Sequence, residues 1–113
     1  MSAITTHVLD TSRGCPAAGV EVELEQLDAR DSWKPIARGI TDADGRLRTL
    51  VPAGVSPTPG TYRLVFATSA YFESDGRESF FPRVIVIFKV GDAPHYHVPL
   101  LLSPYGYSTY RGT

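Results

Sequence analysis

The chain is short of cysteine, of clustered charge and of long apolar runs, and each shortage excludes something. Its single cysteine, Cys15, rules out an internal disulfide and suits a reducing compartment. Its 11 basic and 12 acidic residues leave a net charge of -1 and are scattered along the chain. No charged block therefore points to nucleic acid or to an anionic membrane surface. No stretch approaches the roughly 20 apolar residues of a membrane span. The first residues lack a basic segment followed by an apolar run, so no signal peptide is expected. The last three are not a peroxisomal Ser-Lys-Leu, and the cytoplasm is the expected compartment. Repeats and low-complexity tracts are missing too. With 113 residues, 42% of them hydrophobic, the expectation is one domain over 1–113 that buries roughly two-thirds of its unfolded surface.

What the chain does have is period-two alternation punctuated by Gly and Pro. Thr5 to Asp10 reads as a short strand, and Thr11 to Pro16 as a turn. Val20, Val22 and Leu24 alternate with Glu21, Glu23 and Glu25, the pattern of an antiparallel strand with one wet face. Trp33 to Gly39 is a second short strand, broken by Pro35. Thr41 to Arg46 carries Asp and Gly where a tight turn wants them, and Leu47 to Leu50 can continue as a strand. Pro52 to Gly60 is a long loop. Thr61 to Phe66 is a strand with Tyr62, Leu64 and Phe66 inward. Ser69 to Asp75 is the one helix expected, capped by Thr68 or Ser69 and ended by Gly76.

Arg83 to Val90 is the strand most strongly marked by β-branched residues. Its second face carries Ile85 and Ile87, and a strand apolar on both faces needs a cover on both; another subunit is the simplest second cover. A turn at Gly91 to Pro94 leads into a C-terminal strand pair, with Val98 to Leu102 apolar and a turn at Pro104 and Gly106. Chain ends are usually loose, but this one keeps its aromatic residues almost to Thr113 and is expected to be tied into the fold. The sum, about seven or eight short strands with one small helix, is an antiparallel β-sandwich.

Few residues can carry chemistry. The three histidines are His7, His95 and His97. His95 and His97, two apart on a strand, leave the same face. They read as packed or surface side chains, as part of a three-histidine zinc site, or as general acid/base groups. Arg46, at the mouth of its turn, is either solvated or offers a planar fork to a flat anionic or carbonyl-bearing ligand; Arg111 invites the same two readings. No Gly-x-Ser-x-Gly elbow is present. Cys15, with only Arg13 basic nearby, reads as a small turn residue rather than a nucleophile. Tyr96, Tyr105, Tyr107 and Tyr110 read as structural and interface aromatics.

Longer motifs go further. Thr6-His7-Val8-Leu9-Asp10-Thr11, Gly14-x-Pro16-Ala17 and the Val20 to Leu24 strand resemble the start of the transthyretin-related 5-hydroxyisourate hydrolases. Asp44-Gly45-Arg46 and Phe80-Phe81-Pro82-x-Val84 resemble the middle of that family. His95-Tyr96-His97-Val98-Pro99-Leu100-Leu101-Leu102-Ser103-Pro104 and the closing Tyr110-Arg111-Gly112-Thr113 resemble its end. The likeness spans essentially the whole chain. The family usually closes Tyr-Arg-Gly-Ser; Thr113 departs from this but keeps the hydroxyl. Transthyretin itself, the hormone carrier, shares the fold but lacks the His, Arg and Tyr-Arg-Gly signature.

The resemblance implies a homotetramer of β-sandwiches, a dimer of dimers, with sites in a channel between dimers. It implies hydrolytic opening of the 5-hydroxyisourate ring to 2-oxo-4-hydroxy-4-carboxy-5-ureidoimidazoline in urate breakdown, with no metal and no cofactor. It carries the catalytic roles to His7, Arg46 and His97, and substrate binding to Tyr110, Arg111, Gly112 and Thr113. His7 or His97 would be the base, the other polarising the carbonyl or protonating the leaving nitrogen. Arg46 would hold the planar substrate and its developing oxyanion. His95 stays structural. The rival expectations are a non-catalytic small-ligand or regulatory module on the same sandwich, and a zinc hydrolase.

Overall fold

The computed structural model describes residues 2–113. It contains strands β1 (Ile4–Asp10), β2 (Cys15–Pro16), β3 (Glu21–Leu27), β4 (Trp33–Ile40), β5 (Arg46–Leu47), β6 (Gly60–Phe66), β7 (Val84–Val90), β8 (Tyr96–Ser103) and β9 (Gly106–Thr109), and one helix, α1 (Thr68–Glu73). They form two sheets, β2-β1-β8-β9, with β5 also on β1, and β4-β3-β6-β7. The core between them takes the inward residues of each alternation: Ile4, Val8, Val98, Leu100 and Leu102 from one sheet, Val22, Leu24, Leu64, Phe66, Val84 and Val86 from the other. Phe72 of α1 joins the same cluster. Full burial of such a side chain contributes about 1.5–3 kcal/mol, so this one layer supplies the main driving force of the fold.

The first sheet is mixed rather than antiparallel. β1 and β8 run parallel, with Thr5 opposite His97 and His7 opposite Pro99. The free edge of β1 is divided between two short partners. Leu9 and Asp10 pair with β2, and Thr6 and His7 pair with β5. Cys15 and Pro16, expected in a turn, thus form a two-residue strand, and the strand expected over Leu47 to Leu50 stops at Leu47. Both follow from a shared edge that leaves each partner little length.

Pro35 does not break its strand. β4 runs unbroken on the outside of its sheet, and the register slips so that Leu24 faces Ala37 while Glu25 faces Pro35. An edge position needs no amide donor from proline, and a bulge absorbs the misfit. Helix α1 begins at Thr68, after Ala67, with no side-chain cap. Thr68, expected as a cap, is buried instead, and its hydroxyl has no hydrogen-bond partner among the described residues. Gly76 ends the turn with φ +77°, a left-handed conformation that costs glycine nothing. Its reversal sends Arg77 back to β1.

There Arg77 meets Asp10, whose side chain is fully buried. One carboxylate oxygen of Asp10 accepts from Arg77 Nη2 and from the Tyr71 hydroxyl, both at 2.8 Å. The other accepts from the Ser12 hydroxyl at 2.6 Å and from the Ser12 and Arg13 amides. Asp75 holds the far side of Arg77 and also pairs with Arg13. This network fastens α1 to the end of β1.

Candidate active site

A cavity of about 220 Å³ opens on the outer face of the mixed sheet, lined by Thr5, Thr6, Arg46, Arg48, His95, His97 and Thr113. Alternation puts it there. On β1, Ile4, Thr6 and Val8 are buried toward the core, so Thr5 and His7 face out; on β8, Tyr96 and Val98 point inward and His97 outward. The parallel register then sets the Thr5 and His97 side chains side by side. Thr5 Oγ1 lies 2.8 Å from His97 Nδ1 and 3.0 Å from His95 Nε2. The two imidazoles stack with ring centroids 6.3 Å apart and planes 14° from parallel.

Arg46 arrives by a different device. The Asp42 carboxylate accepts from the Asp44 amide at 2.9 Å and the Arg46 amide at 3.0 Å, tightening the turn expected from Asp and Gly at these positions. Gly45 sits in it with φ +73°, and a Cβ there would lie 2.4 Å from the Val8 carbonyl oxygen. Only glycine lets this turn press against β1, and that contact delivers Arg46 opposite His7.

The chain end is tied down. The Gly112 amide donates to the His97 carbonyl at 2.8 Å, and Thr113 reaches the cavity. A Cβ at Gly112 would lie 2.5 Å from His97 Cδ2, so glycine is what lets the backbone lie against the imidazole. Gly112→Ala is expected to push the His97 ring out of place, lowering turnover at least about tenfold while shifting stability by no more than about 1 kcal/mol. Steady-state kinetics beside thermal melting check this; unchanged kinetics would show that the ring tolerates the displacement.

The residues singled out in the sequence do not all converge on one cavity. Arg46, His97 and Thr113 line it, and Gly112 backs it. His7 faces the same side of β1, two residues on from Thr5 and across from Arg46. Tyr110 and Arg111 line a second cavity of about 290 Å³ with Ile87, Lys89, Tyr96 and Val98. Arg111 lies over the Tyr96 ring at 5.0 Å. Thr5, Arg48 and His95 join the first cavity although the sequence did not single out Thr5 or Arg48 and left His95 structural. The one local signal was position: Thr5 stands two residues from His7 on β1, and His95 and Arg48 stand two from His97 and Arg46, just outside β8 and β5.

The electrostatics are one-sided, since two arginines and two histidines line the cavity and no carboxylate side chain does. Burial lowers the pKa of His97 below its ordinary value, and the nearby His95, Arg46 and His7 lower it further, against a hydrogen bond from the ring to the Thr5 backbone. His97 is therefore neutral at neutral pH, with a lone pair available as a base. Among the described residues no group of three or more His, Cys, Asp or Glu side chains is placed to hold a metal ion.

Comparison with known proteins agrees with this architecture. Residues 4–112 match the model of the HIUase/Transthyretin family. The 5-hydroxyisourate hydrolase of Salmonella dublin is 49% identical over 111 residues, 97% of this chain and 80% of its own length. The structure of the Klebsiella pneumoniae 5-hydroxyisourate hydrolase superposes with a TM-score of 0.86 at 40% identity, all of each chain being covered. Transthyretin from Sparus aurata superposes with a TM-score of 0.92, over 99% of this chain and 97% of its own, at only 32% identity. Backbone likeness thus extends to both, while sequence likeness is greater to the two hydrolases. On fold, sheet order and sequence over nearly its whole length, the chain belongs to the HIUase/Transthyretin family.

Proposed function

We propose that this protein hydrolyses 5-hydroxyisourate, opening its ring to 2-oxo-4-hydroxy-4-carboxy-5-ureidoimidazoline in urate breakdown. The observation that carries the reading is the cavity itself: a neutral, base-competent His97 across from Arg46 with no acidic side chain between them. That environment suits a flat ring rich in carbonyl oxygens. Water, deprotonated by His97, attacks a ring carbonyl. Arg46 holds the planar ring through paired hydrogen bonds and stabilises the oxyanion of the tetrahedral intermediate, with His7 polarising the same oxygen from the neighbouring strand. The carbon–nitrogen bond then breaks and the nitrogen leaves with a proton. Gly112 and Thr113 close the wall, while Tyr110 and Arg111, expected to bind substrate, line the second cavity. Every step uses the chain's own side chains, without metal or cofactor.

In this reading the working form is a homotetramer, a dimer of dimers. Its support is apolar surface beside the second cavity: Ile87 on the outer strand β7 is 60% exposed and Tyr110 57% exposed, more than a lone sandwich needs to leave in water. No helix among the described residues is long and apolar enough to cross a membrane, and the cytoplasm is the compartment assigned. The test follows the absorbance of freshly generated 5-hydroxyisourate with and without the protein, on material whose mass is measured by light scattering. Faster decay by an oligomer is expected. Tight binding without faster decay would instead make the chain a ligand-binding module.

A further inference from the structure

The Thr5 hydroxyl touches a ring nitrogen of both imidazoles, at 2.8 and 3.0 Å, yet it has one proton to give. With one proton and two lone pairs it can donate to one ring while accepting from the other, the arrangement that couples the two imidazoles. We propose that Thr5 and His95 are positioning residues for His97, joined by this hydroxyl into one proton-sharing unit that sets which nitrogen of His97 carries the proton. The inference rests on the hydrolytic reading above and extends it to residues that reading leaves idle.

The unit has two neutral arrangements. In the first, His97 Nδ1–H donates to Thr5 Oγ1, and Thr5 donates to His95 Nε2. His97 Nε2 then has a free lone pair and is a base. In the second, His95 Nε2–H donates to Thr5, Thr5 donates to His97 Nδ1, and His97 Nε2–H is an acid. Catalysis takes the unit from the first arrangement to the second plus one proton, the one taken from water, which leaves His95 protonated on both ring nitrogens. When His97 Nε2 takes a proton from the attacking water, its Nδ1 proton passes to Thr5 Oγ1 while the Thr5 proton passes to His95 Nε2. His97 is left neutral with its proton on Nε2, the positive charge rests on His95, and hydroxide has bonded to the carbonyl carbon. As the ring carbon–nitrogen bond breaks, His97 Nε2–H protonates the leaving nitrogen and the two relay protons run back. One histidine thus serves both halves of the reaction.

The surroundings fit this task. Thr5 is only 5% exposed, so its hydroxyl is largely shielded from bulk water, and the parallel pairing fixes it beside His97. Gly112 braces the opposite flank of the ring. The charged or titratable groups around His97 are His95 before it on the chain, His7 on β1, Arg46 and Arg48 at β5, and no acidic side chain. A protonated His97 has no acidic side chain in this lining to pair with, and the relay passes its charge on to His95.

The experiment combines kinetics with ring-nitrogen NMR. In the wild-type protein above pH 8, 15N shifts are expected to show His97 as a single tautomer, protonated on Nδ1. Thr5→Val, nearly isosteric, is expected to mix the tautomers and lower kcat about ten- to a hundredfold with KM within about twofold. Thr5→Ser restores the hydroxyl and is expected to recover kcat to within about threefold. His95→Phe gives a second route to the same loss of tautomer bias. Wild-type His97 averaging between tautomers, or wild-type kcat in Thr5→Val, would overturn the relay. The NMR needs no substrate, so a wild-type protein that does not hydrolyse 5-hydroxyisourate yet shows the single tautomer would sink the hydrolytic reading and leave the coupling of the three residues standing.

Discussion

His97→Asn is expected to lower kcat by about a hundred- to ten-thousand-fold, the usual contribution of a positioned general base, without unfolding the protein. Asparagine places its amide near the position of Nδ1, so the Thr5 hydroxyl keeps a partner, and the Gly112 bridge, made to the backbone of residue 97, is untouched. What disappears is Nε2. The pH profile separates this from general damage. In the wild type, His97 has a pKa lowered first by burial and then by His95, Arg46 and His7. The base form is therefore present above that lowered value, and the acid limb of kcat/KM should fall below about 6.5, where an unperturbed histidine titrates. Activity rises with pH through this limb and is lost below it. In His97→Asn the limb should vanish, leaving a low rate set by other groups. A variant with the wild-type rate, or with the same limb, would place the base elsewhere, His7 being the first residue to try. His7→Ala tests that directly and is expected to cost less than His97→Asn.

The second large effect concerns stability. Asp10→Ala is expected to destabilise the fold by about 3 kcal/mol, because it strips Arg77, Tyr71 and Ser12 of a shared buried acceptor. Burial by itself would raise the pKa of Asp10, but hydrogen bonds from Arg77, Ser12 and Tyr71 outweigh it and bring the value down to about 2. Its folded pKa is thus lower than the 3.8 of an ordinary aspartate. The folded state binds fewer protons than the unfolded one between these values, so stability contributed by Asp10 is complete above pH 4 and is lost as pH falls toward 2. The shift corresponds to about 2.5 kcal/mol. Tyr71, raised to about 12 by burial and by its bond to Asp10, stays a donor across this range. Urea unfolding of wild type and Asp10→Asn at pH 6 and pH 2.5 checks the sign: the gap between the two proteins should narrow on acidification. A gap that held constant would mean that the charge of Asp10 adds nothing to the fold.

The strands marked by alternation or by dense β-branched and apolar residues were legible from the chain itself. β3, β6, β7 and β8 lie within a residue or two of the expected positions, because alternation is a local consequence of one face being wet and the other packed. Elements whose limits depend on a neighbour were not legible. Cys15 and Pro16 became a strand because β1 had an edge left to share, and the segment after Arg46 lost its strand because that edge ran out. Pro35 sits inside β4 because β4 is an edge strand, a fact of sheet order. The missing helix cap has a similar origin: Thr68 went into the core instead of bonding to the turn that follows it.

The candidate site divides in the same way. The chain by itself determined which residue types were available, three histidines and a turn-mounted arginine, and on which strand faces they would stand, since side-chain direction follows from spacing along the backbone. Tertiary structure alone decided that Thr5 meets His97, because their contact closes 92 residues of sequence through a parallel pairing that no local pattern encodes. It also decided that Thr113 would reach the cavity while Tyr110 and Arg111 turned to another. A hydrogen bond is lost beyond a fraction of an ångström of misplacement, and only the packed sheets hold distant segments to that tolerance.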